Sequence, residues 1–126
     1  MADFLNLEDV LSLHADQVAL YGGDYGVRDM GLLESAVAQP QATFGGEFLH
    51  KDLFEMAAAY LFHVVQNHPF LDGNKRTGAV AALVFLDLNG VEINAPKGSV
   101  YDLTMSVATG QAGKTQIAAF FRLHAH

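Results

Sequence analysis

Apolar residues recur along this chain at helical spacing, in six stretches separated by glycine, proline or short polar runs. Leu7, Val10, Leu11, Val18 and Tyr21 give the first stretch an apolar side. Asn6 is placed to cap it, Glu8 and Asp9 favour its positive end, and Gly22-Gly23 stop it. Asp29 is placed to cap a second helix carrying Leu32, Leu33, Ala36 and Val37. Pro40 is expected to end it, because the residue before a proline avoids helical geometry. Residues 41–50 alternate loosely and contain two glycines, which reads as an ordered loop or a short hairpin flap. From Asp52 to Asn67 apolar residues run around most of the helical circumference, so this stretch predicts the buried central helix. A fourth helix is predicted from about Asn74 to Asn89, with Gly90 in the position that favours a left-handed residue. Val91 to Ile93 suit a brief extended segment, and Pro96-Lys97-Gly98 suits a turn. Ser99 is expected to cap a fifth helix that Gly110 ends, and Thr115 to cap a sixth carrying Ile117, Ala118, Phe120 and Phe121. Six helices with at most one short flap predict an all-α fold, a compact bundle in one domain over residues 1–126.

Composition narrows the field. Hydrophobic residues make up 51% and charged residues 17%, a balance that suits a packed core and argues against disorder. The net charge of −7 argues against general binding to nucleic acid or to an anionic membrane. It leaves room for Mg–ATP, which one local cluster of cations and amides can hold. Without cysteine there are no disulfides and no thiolate zinc site. The first residues lack a basic leader followed by a long apolar run, and no apolar stretch reaches membrane-spanning length. A cytoplasmic protein is the expectation.

One run concentrates the polar chemistry. Residues 68–78 read His-Pro-Phe-Leu-Asp-Gly-Asn-Lys-Arg-Thr-Gly and lie between the two longest helical patterns. His68 falls where the central helix ends, and imidazole titrates near neutral pH, so it can take a proton from a hydroxyl. Asp72 offers carboxylate oxygens to Mg²⁺. Gly73 removes a side chain where backbone must come close to a ligand. Asn74, Lys75 and Arg76 open the next helix, whose N–H groups form an anion site, and the two cations add charge to it. Pro69 and Phe70 suit structural roles in stiffening and anchoring the turn. A base, a hard-metal ligand and a phosphate cradle are the parts of a phosphoryl- or nucleotidyl-transfer site.

At these residues the chain resembles the Fic/Doc family, whose signature is His-Pro-Phe-x-(Asp/Glu)-Gly-Asn-Gly-Arg with a further Arg three residues on. His68, Pro69, Phe70, Asp72, Gly73, Asn74 and Arg76 match it. Tyr21-Gly22-Gly23, Gly31 to Ala36, Pro40 to Gly46 and Ala108-Thr109-Gly110 resemble the small "death on curing" (Doc) branch, and the likeness runs from about residue 6 to 123. Lys75 stands where the wider family has its second glycine, and Ala79 where it has its second arginine. In the wider family these two residues serve AMP transfer from ATP. Their replacement implies the Doc form, which turns ATP around and passes its γ-phosphate to a threonine of translation elongation factor Tu, halting translation. The resemblance therefore implies the toxin of a toxin–antitoxin pair, an ATP- and Mg²⁺-dependent protein Ser/Thr phosphotransferase, with AMP transfer as the competing reaction and a non-catalytic binding scaffold as a third reading. By resemblance His68 is the base, Asp72 holds Mg²⁺, and Gly73, Asn74, Lys75 and Arg76 bind phosphates. Thr43, Phe44, Gly45 and Gly46 belong to the flap that positions the target. The implied partner is a Phd-like antitoxin whose flexible tail folds into a groove. Thr43 to Glu47 fits the first part of a family self-inhibition motif, but Phe48 breaks it and Ala79 removes its partner, so self-inhibition through Glu47 is not expected.

Other patterns carry less. Ala108 to Thr115 fits a relaxed phosphate-loop spacing, yet a strand before it is required and the preceding segment reads as helix. His63 and His68 are five apart, so on a helix they point about 140° away from each other rather than sharing a metal. His124 and His126 lie at the end of the sequence, where fraying is the simple expectation.

Overall fold

The computed structural model describes residues 2–126, and its elements follow the apolar pattern closely. Six helices run α1 Leu7–Tyr21, α2 Met30–Ala38, α3 Leu53–Asn67, α4 Asn74–Leu88, α5 Ser99–Ala108 and α6 Lys114–His124. Two short strands, β1 Thr43–Phe44 and β2 Glu47–Phe48, pair antiparallel between α2 and α3. The flap is thus a hairpin, turned by Gly45 and Gly46 at φ 63° and 83°. Positive φ at both central residues matches the strand twist, and glycine adopts it without a Cβ clash.

Helix starts follow the capping logic at three of the six helices. Asn6 and Asp9 close a reciprocal capping box on α1, and the carboxylates of Asp29 and Asp52 accept from Leu32 N and Glu55 N. Two expected caps differ. Gly98 takes the cap position of α5, and the Ser99 hydroxyl turns back to donate to the Pro96 carbonyl at 2.6 Å. Gly113 takes that position in α6, and the Gln116 carboxamide accepts from its N–H at 2.9 Å, so Thr115 is already inside the helix. Pro40 does not stop the chain abruptly either. Gln39 keeps helical geometry and a 3₁₀ turn runs through Gln41, because a proline at the start of a turn has no N–H bond to lose.

Helix α3 lies at the centre and packs against α2, α4, α5 and α6. Eight of its residues are buried, from Met56 to Val65, and Phe70, Phe85 and Phe121 complete the large side chains of the core. Helix α4 approaches α3 at Gly78, where a Cβ would sit 3.0 Å from Val65 Cγ2 and 3.2 Å from the Leu61 carbonyl. The buried Tyr60 hydroxyl accepts from Leu5 N at 2.8 Å and donates to Leu5 O at 3.2 Å. Desolvation pushes its pKa up to about 12, so it stays a neutral strut. The last residues are pinned, not frayed. Ile93 bridges Ala125, and Asn94 N and His126 N donate to His124 O and Glu92 O at 2.9 and 2.7 Å. The predicted extended segment at 91–93 serves this clasp. No described helix is long and apolar enough to cross a membrane.

Candidate active site

The motif turn links the end of α3 to the start of α4, and four separate contacts hold it. His68 ends α3 at φ 51° and ψ 52°, the only described residue other than glycine with positive φ. A left-handed residue here turns the chain away from the helix axis and leaves the imidazole exposed. Arg28 clamps this end: its Nε donates to His68 O at 2.7 Å and its Nη2 to Asn67 O at 3.0 Å. A cation against the last carbonyls of a helix also opposes their partial negative charge.

Two residues on, Phe70 is fully buried. Its ring stacks on His14 with centroids 3.7 Å apart and planes 5° apart. His14 Nε2 donates to the Asp72 carbonyl at 2.8 Å, which fixes the tautomer, since a carbonyl can only accept. From the other side the Asn74 carboxamide accepts from Phe70 N and donates to Phe70 O, both at 2.9 Å. Asn74 is buried, and its side chain serves to shape the turn. The glycine-rich connection docks on the same turn. Arg28 N and Asp29 N donate to Pro69 O, Leu71 N donates to Gly26 O, and Val27 bridges Phe70.

Gly73 adopts φ 80° at the cap of α4, and no side chain caps this start. The N–H groups of the first turn, from Asn74 to Arg76, are therefore left for a ligand, with the partial positive charge of the helix behind them. A Cβ on Gly73 would lie 3.6 Å from the His14 ring and 3.9 Å from Thr77 Oγ1, a buried hydroxyl that has no hydrogen-bond partner. Lys75 and Arg76 are exposed on the outer side of this turn. Arg76 lies over the Tyr21 ring, 5.0 Å from its centroid, which holds the guanidinium to one side of the helix opening.

Asp72 is exposed, and one of its oxygens accepts from Asp24 N at 2.9 Å. The second oxygen has no partner of this kind. Among the described residues no three His, Asp or Glu side chains gather as a metal cage. That donor set fits Mg²⁺, which commonly takes one or two carboxylates and completes its shell with water and substrate phosphates.

A mostly apolar groove of about 610 Å³ adjoins the turn. Gln17 and Tyr21 of α1, Leu83 of α4, and Val100 and Tyr101 of α5 form its walls, with Lys75 and Arg76 at its rim. Ala79 also lines it, so the place of the wider family's second arginine is occupied by a methyl group facing the groove. On the flap, Phe44 is 83% exposed, an uncovered aromatic on a two-residue strand.

The structure brings His68, Asp72, Gly73, Asn74, Lys75 and Arg76 onto one turn. His14, Tyr21, Asp24 and Arg28 are the supporting residues that sequence reasoning missed. They lie 40 to 58 residues away in sequence where they bond to the turn, so no local spacing links them to it. His14 did carry a trace of a signal, standing between Val10 and Val18 on the buried side of α1.

An exposed imidazole and an exposed carboxylate thus precede an uncapped helix start on one short turn of a helical body. The chain belongs to the Fic/DOC family, whose model matches residues 4–86. It is similar to "Toxin Doc" of Mycolicibacterium smegmatis, 44% identical over 121 residues that span 94% of this chain and 91% of the relative. It is also similar to "Protein kinase doc" of Escherichia phage P1, 37% identical over 116 residues that span 91% of this chain and 90% of the relative.

Proposed function

We infer that this protein is a Doc-type toxin that transfers the γ-phosphate of ATP to a hydroxyl of a target protein, with elongation factor Tu as the target. The observation that carries this reading is the exposed His68 imidazole at one end of the motif turn and the uncapped start of α4 at the other. His68 takes the proton of the target hydroxyl as its oxygen forms a bond to the γ-phosphorus. The bond to the bridging oxygen breaks, and ADP leaves with that electron pair. The amides of Asn74, Lys75 and Arg76, with the Lys75 and Arg76 charges, hold the phosphates in line with the attack. Asp72 would hold Mg²⁺, which when bound would neutralise phosphate charge.

Two departures from the wider signature support phosphate over AMP transfer. Lys75 fills the place of a glycine, and Ala79 cannot grip the outer phosphates. The relative named a protein kinase supports the same choice. The flap of Thr43, Phe44, Gly45 and Gly46 suits target docking, since an exposed short strand with an aromatic can pair with an extended segment. The apolar groove beside α4 suits the folded tail of a Phd-like antitoxin, and the site of action is the cytoplasm.

Incubating the protein and elongation factor Tu with Mg²⁺ and ATP labelled at the α- or the γ-phosphate tests the reading. Label should reach the target only from the γ position; transfer from the α position alone would replace kinase by AMP transferase. His68→Ala should abolish growth arrest while the chain still folds. Continued arrest by that variant would make binding, not catalysis, the mechanism. Asp72→Ala should weaken Mg–ATP binding.

A further inference from the structure

A second polar cavity, about 280 Å³, lies between α3 and α6 and has no part in the chemistry above. His50, Glu55, Lys114, Thr115, Ala118 and Arg122 line it. Glu55 precedes His68 by thirteen residues in α3, about 20 Å along the helix axis. Three independent features of this cavity point to a negatively charged occupant.

The first is the start of α6. Gly113 holds the cap position, and no side chain caps the first turn. The Gln116 carboxamide serves the Gly113 N–H, which leaves the N–H groups from Lys114 to Gln116 without a side-chain acceptor. Gly113-Lys114-Thr115 lacks the preceding strand of a phosphate loop, because α5 comes before it. It nevertheless places the same groups, amides, an ammonium and a hydroxyl, at one helix start.

The second is Lys114. Its Nζ donates to His63 Nε2 at 3.1 Å, and among the described residues it has no carboxylate partner. Arg122 is different, since it pairs with Asp52 at 3.0 Å. Lys114 is thus a cavity-lining cation held by an imidazole and the Phe62 ring face rather than by a carboxylate. The chain has only seven lysines and arginines against fourteen acids, and two of the seven meet here.

The third is His50. It is 6% exposed and lines the cavity, yet its buried Nε2 has no hydrogen-bond partner. A buried polar atom left unpaired is costly. The backbone hydrogen bond at Gln39 uses the other ring nitrogen, so Nε2 of the neutral ring accepts, and the P–OH of a hydrogenphosphate or a bridging water would relieve it. Glu55 is the one carboxylate facing this space without a cation, and one of its oxygens already accepts from Lys51 N at 3.2 Å.

We propose that this cavity is an oxyanion site that takes orthophosphate or a phosphomonoester against the α6 amides, Lys114 and His50. Burial first and the Lys114 charge second lower the His50 and His63 pKa values, which keeps both rings from adding positive charge beside Lys114. Glu55 and a backbone hydrogen bond at Gln39 oppose that depression at His50, and His50 itself adds to it at His63.

The test is a titration of ¹⁵N-labelled protein with inorganic phosphate, read residue by residue by NMR. The amides of Lys114, Thr115 and Gln116 and the His50 ring should shift together along one saturation curve. Signals from Asn74 to Arg76 report the α4 opening separately, so failure of one site does not count against the other. Lys114→Met keeps the stem and removes the charge, and should weaken the α6 response about tenfold. His50→Gln should weaken it as well, and Lys114→Met decides the matter if that variant does not fold. AMP in place of phosphate separates the sources: tighter binding assigns the cavity to a nucleotide-like phosphomonoester, equal binding to free phosphate. Unmoved 114–116 and His50 signals at millimolar phosphate, or undiminished binding by Lys114→Met, would overturn the proposal.

Discussion

Replacing His68 by glycine and by alanine should separate its backbone role from its chemistry. At φ 51° and ψ 52° the residue sits in the left-handed region, where any Cβ crowds the following carbonyl. That crowding costs a non-glycine residue about 1–2 kcal/mol. Glycine removes the clash but gives the unfolded chain more freedom, which offsets about 0.4–1 kcal/mol. The imidazole is exposed, so both substitutions lose little packing. His68→Gly should therefore be more stable than His68→Ala by up to about 1.6 kcal/mol. In an ordinary helical position the order is reversed, with alanine ahead by about 1 kcal/mol. The sign of the difference thus reports the conformation. Urea denaturation with equal m-values measures it, and γ-phosphate transfer should be lost in both variants. An alanine variant more stable than the glycine variant would refute the left-handed cap, and with it the argument that backbone geometry presents the base to solvent.

Other perturbations test the supporting structure. Asn74→Ala strips both hydrogen bonds from the buried Phe70 main chain and should cost about 2–3 kcal/mol in urea melts, with phosphate transfer falling alongside. Gly78→Ala should destabilise by about 1–3 kcal/mol despite alanine's better helix propensity, because its methyl meets Val65 and the Leu61 carbonyl. Burial and the Lys114 charge lower the His63 pKa from 6.5 to about 4, so the unfolded chain binds the extra proton first as pH falls. Stability should therefore drop between about pH 6.5 and 4, and His63→Gln should flatten thermal melts across that window.

Much of this protein was legible in its residues. Helix periods follow from apolar spacing, and Asn6, Asp29 and Asp52 announce their helices because a side-chain cap acts within three residues. The motif turn was equally visible, since His68 to Arg76 are contiguous, and the chemistry proposed for them rests on residue type and order. Caps made by glycine were harder to read. At Gly98 and Gly113 the backbone does what Ser99 and Thr115 were expected to do, and glycine carries no side-chain signal.

Only the tertiary structure decided how the turn is held. His14 under Phe70, Arg28 on the end of α3 and Asp24 on Asp72 act across 40 to 58 residues of chain. The oxyanion cavity likewise joins His50, Glu55 and Lys114, which no sequence period relates. Hydrogen bonds and packing depend on distance in space. A one-dimensional pattern carries that distance only over the few residues of a helical turn, and the packing of α3 against its neighbours supplies the rest.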